Sequence, residues 1–180
     1  MKNNSPSIAA SSLAQVKQVR NLATIGLLTA LGIILSFFTL NLTPLLRINL
    51  KFLINGVVGM LFGPVAGAMY GAAADILGYL VAPSGPYFVG FTLISIINGV
   101  LTGYLFYQKE LSWKRIIFAR FLIVLVCQII LNTWCLSLLY SKFFFAMLPA
   151  RITKSLVLLP VEIPLLYYIF QVINKIKKRM

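Results

Sequence analysis

Apolar residues run along this chain in stretches of bilayer length, separated by short polar or basic segments. The runs are Leu22–Leu40, Phe52–Val81, Phe88–Tyr107, Ile116–Tyr140 and Ser155–Ile173. A helix needs about 20 apolar residues to cross the hydrocarbon, so each run predicts at least one span. Phe52–Val81 is 30 residues long and carries Gly63-Pro64 in its middle. Proline cannot continue the hydrogen-bond ladder, so this run reads as two short helices joined by a tight turn. The pattern therefore predicts an all-α integral membrane protein of six transmembrane helices. Residues 1–20 form a leader, 21–174 the six-helix membrane domain and 175–180 a basic tail. The leader, MKNNSPSIAASSLAQVKQVR, has no apolar core behind its charges and reads as a cytoplasmic segment rather than a cleavable signal peptide.

Composition agrees with a bilayer as solvent. The 180 residues are 60% hydrophobic with three acidic side chains, and mean hydropathy is +0.94, more apolar surface than one soluble core can hide. The formal charge of +13 changes the picture through its distribution. An N-terminus placed inside leaves eleven of the sixteen cations on cytoplasmic segments: Lys2, Lys17, Arg20, Lys109, Lys114, Arg115, Arg120, Lys175, Lys177, Lys178 and Arg179. Both termini are expected in the cytosol, with the chain a multi-pass membrane protein. Charges scattered over separate loops do not make a nucleic-acid surface. Cys127 and Cys135 fall inside a span and read as small hydrophobes, and neither a metal cluster nor any histidine is present in the sequence.

Five cations remain outside, and four of them cluster at span ends: Arg47 and Lys51 beside the second span, Arg151 and Lys154 at the start of the sixth. Topology does not require them there. Together they predict an outward-facing basic mouth suited to carboxylates, which arginine holds bidentately; the competing reading is snorkelling to lipid headgroups. Asp75, Asn98, Asn132 and Glu162 lie within apolar runs, where they are expensive and are expected to face a cavity or a partner. At about 100° per residue, Arg151, Lys154 and Glu162 fall at roughly 0°, 300° and 20° on one side of a helix. That stripe predicts two cations near the mouth and a carboxyl group three turns deeper. The alternative is an internal pair, Lys154 with Glu162 or an Arg with Asp75, that only fastens helices together. Gly59, Gly63, Gly67 and Gly71 recur every four residues and Asp75 continues the row, predicting a smooth face that other helices approach closely. Pro160 and Pro164 are expected to bend the last helix.

Two segments carry a family resemblance. ILNTWCLSLLYSKFFFAMLPARITKSLVLLPVE and ADILGYLVAPSGPYFVGFTLISIINGVLTGYLF, within a match from about Leu22 to Ile173, resemble the substrate-binding S subunits of energy-coupling factor (ECF) transporters, the folate-specific ones in particular. The resemblance implies a vitamin-binding membrane subunit that captures folate from outside. It would associate with a transmembrane coupling subunit and two cytosolic ATPases, and would topple in the membrane to release its cargo. It also implies that Gly26-Leu-Leu-Thr-Ala30, in place of the usual AxxxA, docks on the coupling subunit. Asn132, Thr133, Tyr140, Arg151 and Lys154 match the ligand motif of the fifth and sixth helices, and Glu162 stands where glutamine is usual.

The chemistry of the residues fits such a ligand. Folate carries an anionic tail for the basic mouth, flat rings for Tyr87, Phe88, Trp134 or Tyr140 to stack on, and pterin N–H groups for a carboxylate such as Asp75 to accept from. The same aromatics also read as an interfacial belt. There is no phosphate-binding loop and no nucleophile–base arrangement, so binding without catalysis and without a cofactor is expected, with energy supplied by partners. Three readings compete: an S subunit for riboflavin, thiamine or pantothenate; an intramembrane enzyme using Asp75 and Glu162 as acid and base; and a structural subunit whose polar residues only lock helices.

Overall fold

The computed structural model describes residues 7–37, 40–43, 46–48, 50–83, 87–109, 112–140 and 144–179. Its helices are α1 (Ile8–Val16), α2 (Val19–Phe37), α3 (Lys51–Phe62), α4 (Pro64–Val81), α5 (Val89–Phe106), α6 (Trp113–Ile123), α7 (Asn132–Tyr140) and α8 (Phe144–Arg179). A π-helical segment, Val124–Leu131, joins α6 to α7 into one continuous crossing. Among the described residues, five helical stretches are long and apolar enough to span a membrane, and α3 is a sixth, shorter apolar helix. Large hydrophobic side chains such as Val19, Leu27, Leu80, Phe118 and Leu156 lie exposed on the outside of the bundle, as a lipid solvent requires.

The break expected at Gly63-Pro64 is present. Gly63 has φ of +87°, open to glycine and strained for other residues, and Pro64 begins α4, where its missing N–H breaks no bond. The turn is held from outside. Ser12 of α1, fully buried, donates from its hydroxyl to the Phe62 carbonyl at 2.6 Å and accepts from the Val65 N–H at 3.1 Å. One side chain thus satisfies the last carbonyl of α3 and an orphan amide of α4. Part of the segment expected as a leader is in this way a helix packed on the bundle.

Gly67 and Gly71 press directly onto the backbone of α5. A Cβ at Gly67 would strike the Gly99 carbonyl, and one at Gly71 the Ser95 carbonyl. Gly59 of α3 meets Gly103 and Thr102 of the same helix. Two apolar clusters fill much of the remaining core. Ile25, Ile54, Val58, Ala66 and Tyr70 join α2, α3 and α4, while Leu53, Phe106, Ile116, Leu166 and Phe170 join α3, α5, α6 and α8.

Three features differ from the pattern-based expectation. Between α2 and α3 lies an antiparallel hairpin, β1 (Leu40–Thr43) and β2 (Leu46–Ile48), pairing Leu40 with Ile48 and Asn41 with Arg47. Its alternation of apolar and polar residues is the two-residue period of a strand, which a search for long apolar runs passes over. The last helix continues unbroken through Pro149, Pro160 and Pro164 and through the segment expected as a tail, over 36 residues. At about 1.5 Å per residue it is roughly 54 Å long, well beyond the hydrocarbon thickness. The third difference is Arg120, counted above among cytoplasmic cations. It lies inside the bundle at 4% exposure, paired with Glu162 at 6%.

Candidate functional site

A cavity of about 760 Å³ opens between the two halves of the bundle. Its wall takes the C-terminal end of α2 (Ser36), the first turns of α3, the last turns of α4, the loop residues Tyr87 and Phe88, the first half of α5, the π-helical segment and the middle of α8. Those chain positions all lie at the hairpin end, opposite Ser12 and the Gly63 turn. A cleft of this size with a few convergent polar groups is the usual form of a small-molecule site.

Asp75 occupies the place that the glycine row reserves, facing α5. Its Oδ2 accepts from the Thr92 hydroxyl at 2.8 Å and its Oδ1 from the Ser95 hydroxyl at 3.3 Å. Tyr87 lies 2.8 Å from Thr92 Oγ1. Thr92 has one hydroxyl hydrogen and gives it to Asp75, so the Tyr87 hydroxyl is the donor to Thr92. The carboxylate is thereby held in one orientation, with lone pairs left for a ligand. Lys51, at the start of α3, donates from Nζ to the Ala74 carbonyl at 2.9 Å and also lines the cavity. Tyr79 and Tyr87 pack with ring centroids 5.0 Å apart, and Phe88 packs edge-on to Phe91 at 5.8 Å, so aromatic surface covers one side.

The opposite wall belongs to α8 and the α6–α7 crossing. Lys154 and Glu162 both line the cavity, as the helical angles predicted. Glu162 takes Arg120 of α6 as its partner rather than Lys154: Arg120 Nε donates to Oε2 at 2.8 Å, and Nη2 lies 2.7 Å from the same oxygen. The Phe52 ring lies 4.8 Å from the guanidinium carbon. Arg151 stands beside the wall, its Nη1 donating to Oδ1 of Asn132, a lining residue, at 3.0 Å. In the π-helical segment the Asn132 N–H bonds back to the Cys127 carbonyl. The wider turn places Cys127, Gln128 and Asn132 on the cavity together.

The residues singled out from sequence therefore divide. Asp75, Asn98, Asn132, Lys154 and Glu162 line the cavity, and Arg151 touches it through Asn132. Thr133 is fully buried and Trp134 is 57% exposed, and neither lines it. Trp134 projects instead into a separate apolar groove of about 490 Å³ with Leu93, Ile97, Cys135 and Leu138. Consecutive residues of a helix point about 100° apart, so with Asn132 on the cavity its two successors are turned away from it. The Arg47 and Tyr140 side chains lie outside the described residues. Gly26 and Ala30 are exposed on α2, and a Cβ on Gly26 would meet open space.

Sequence reasoning missed Asn55, Gln128, Tyr79, Phe91, Ser95 and Arg120 on the wall, and Thr92, which holds Asp75 from α5. Asn55 in KFLINGVVGM and Gln128 in LVCQIIL carried the same signal as Asn98, an amide inside an apolar run. Arg120 did too, with apolar residues on both sides in IIFARFLIV.

Among the described residues, three cations and two carboxylates line the cavity, with amides between them and aromatic rings on one side. This suits a flat heterocycle that offers hydrogen bonds and carries an anionic group. The acid–base reading of Asp75 and Glu162 finds each carboxylate engaged with its own partners, Thr92 and Ser95 for one and Arg120 for the other.

Residues 20–170 match the family described as ECF transporter, substrate-specific component. The chain is 29% identical over 162 residues to the folate transporter FolT of Clostridium novyi, covering 90% of this chain and 94% of that one. It is 26% identical over 169 residues to FolT of Leuconostoc mesenteroides, with 89% and 91% covered. The riboflavin transporter RibU of Staphylococcus aureus matches at 27% over 135 residues, with 72% and 71% covered. Among solved structures, a crystal structure of FolT bound with folic acid superposes with a TM-score of 0.75 at 34% identity, over 84% of this chain and 91% of that one.

Proposed function

The chain belongs to the substrate-specific components of ECF transporters, and from that membership we propose that it is the folate-binding subunit of such an importer. Folate enters the cavity from the extracytoplasmic side, at the hairpin end. Its rings lie against the Tyr79–Phe91 side and its anionic tail towards Lys154. The observation that carries this proposal is the composition of the cavity, in which a fixed carboxylate, aromatic rings and a surplus of cations share one wall system. The FolT names of the relatives and the folic acid in the neighbouring structure support it.

In this proposal both termini are cytoplasmic. Lys17, Arg20, Lys109, Lys114, Arg115 and Lys175 all belong to the end away from the cavity, where the positive-inside rule wants them. The subunit binds without catalysis. Transport draws on a coupling subunit and two ATPases, with the open Gly26–Ala30 face of α2 as the docking surface.

Two measurements test this. Purified protein titrated with folic acid, riboflavin and thiamine binds folic acid by far the tightest; a preference for riboflavin assigns the site to a flavin instead. Gly26→Trp, whose side chain enters open space, keeps folic acid binding but loses uptake in cells that carry the coupling module. Unchanged uptake removes that face as the docking surface.

A further inference from the structure

The Asp75 carboxylate on the cavity wall is aimed by hydroxyl groups from outside its own helix. Gly71, one turn earlier on α4, lies against the Ser95 carbonyl, so α4 and α5 run close enough for short side chains to reach across. Thr92 and Ser95, one turn apart on α5, do so: Thr92 Oγ1 donates to Oδ2 of Asp75 at 2.8 Å and Ser95 Oγ to Oδ1 at 3.3 Å. Each oxygen thus receives one side-chain donor, and a carboxylate oxygen has two lone pairs. Asp75 is part-exposed where it lines the cavity, whereas Thr92 is buried and does not line it.

This chain of donors has an outer end. A carboxylate only accepts, so Thr92 gives its single hydrogen to Asp75 and its oxygen takes the Tyr87 hydrogen at 2.8 Å. Tyr87 precedes α5, is 45% exposed and lines the cavity, and its ring is held against Tyr79 of α4 at a centroid distance of 5.0 Å. A hydroxyl that accepts one hydrogen bond donates a stronger one, so Tyr87 reinforces the grip of Thr92 on a carboxylate it does not itself touch. That grip has something to resist. Lys51 also lines the cavity, and its ammonium and the Asp75 carboxylate attract each other. An untied carboxylate turns towards that cation.

We propose that Thr92 and Tyr87 are positioning residues for ligand recognition: their hydroxyl chain holds the Asp75 carboxylate towards a pair of neighbouring N–H donors on the ligand's heterocycle. This rests on the folate assignment above, since the 2-amino group and the adjacent ring N–H of a pterin form such a pair. Neither hydroxyl touches the ligand. Selection then depends on a tyrosine two hydrogen bonds away from the contact it controls, with Ser95 completing the hold from the next turn of α5.

The test compares folic acid with the analogue in which a methyl group replaces the 2-amino group, so that one of the two donors is gone. Wild-type protein is expected to prefer folic acid by roughly tenfold or more. Tyr87→Phe keeps the ring and loses the hydroxyl; Thr92→Val keeps the shape and loses both links. Each is expected to weaken folic acid binding roughly fivefold and the methyl analogue less, so that the preference narrows. Thr92→Ser, which keeps the hydroxyl, retains the preference. Variants that melt cooperatively in detergent and still show the wild-type ratio overturn the proposal, because helix fastening alone weakens both ligands alike. A further loss when Tyr87→Phe is added to Thr92→Val also overturns it, since the Tyr87 hydroxyl then acts on the ligand itself. Equal binding of the two ligands by wild-type protein overturns it while leaving the folate assignment standing; no folic acid binding by wild-type protein removes both.

Discussion

The two halves of this bundle are held together by different physics. In α3, α4 and α5 the helices touch backbone to backbone, with Gly67 on Gly99, Gly71 on Ser95 and Gly59 on Gly103. In α6, the π-helical segment, α7 and α8, polar side chains tie helices that contain prolines and a widened turn: Arg120 to Glu162, and Arg151 to Asn132. The cavity lies between the two. Its first wall is preorganised by shape, since no side chain can be rotated out of a glycine contact. Its second wall is held by paired polar side chains, of which Arg120, Glu162 and Asn132 line the cavity. Close contact makes one wall rigid, and paired polar side chains hold the other.

Breaking each half in its own currency separates them. Glu162→Ala strands the Arg120 guanidinium in the interior and is expected to destabilise the protein by about 3–5 kcal/mol, a loss that replacing both members with methionine largely restores. Gly99→Val drives a branched side chain into the Gly67 carbonyl and costs about 3 kcal/mol. No second side-chain change repairs it, because the obstacle is backbone. Thermal melting in detergent of these three proteins reads both effects; repair of Gly99→Val by a small partner would dissolve the distinction. Asp75→Asn belongs to the rigid wall but leaves its packing intact. It is expected to weaken folic acid binding roughly tenfold or more with little change in melting, since a charged acceptor is replaced by a neutral one. Smallest of all, Trp134→Ala removes a ring that points into the outer groove, and its folic acid affinity is expected to stay within about twofold of wild type, the scale of an unconnected substitution.

The glycine half was the legible one. A four-residue row of small side chains states a helix face in sequence, and Asp75 at the end of that row was expected, as an acid in an apolar run, to face a cavity or a partner. The helical angle joining Lys154 to Glu162 was legible for the same reason. Long-range pairing was not. Nothing near Arg120 in the chain names Glu162, 42 residues away, as its partner, and a rule that assigns every cation near a span end to a loop hid it. The hairpin was obscured by the scale of the search, since seven strand residues disappear beside helices of eighteen or more. Trp134 was chosen for its chemistry alone, without the helical phase relative to Asn132 that turns it outward.

The central claim, that folic acid occupies this cavity from the hairpin side, is tested most directly at Gly78. That residue lines the cavity, and a Cβ there meets open space. In a background with Cys127 and Cys135 replaced by alanine, Gly78→Cys is expected to react with a membrane-impermeant maleimide applied outside intact cells, and folic acid is expected to block the reaction over its own binding range. Labelling that proceeds at the same rate in saturating folic acid, or that occurs only from the cytoplasmic side, contradicts the account.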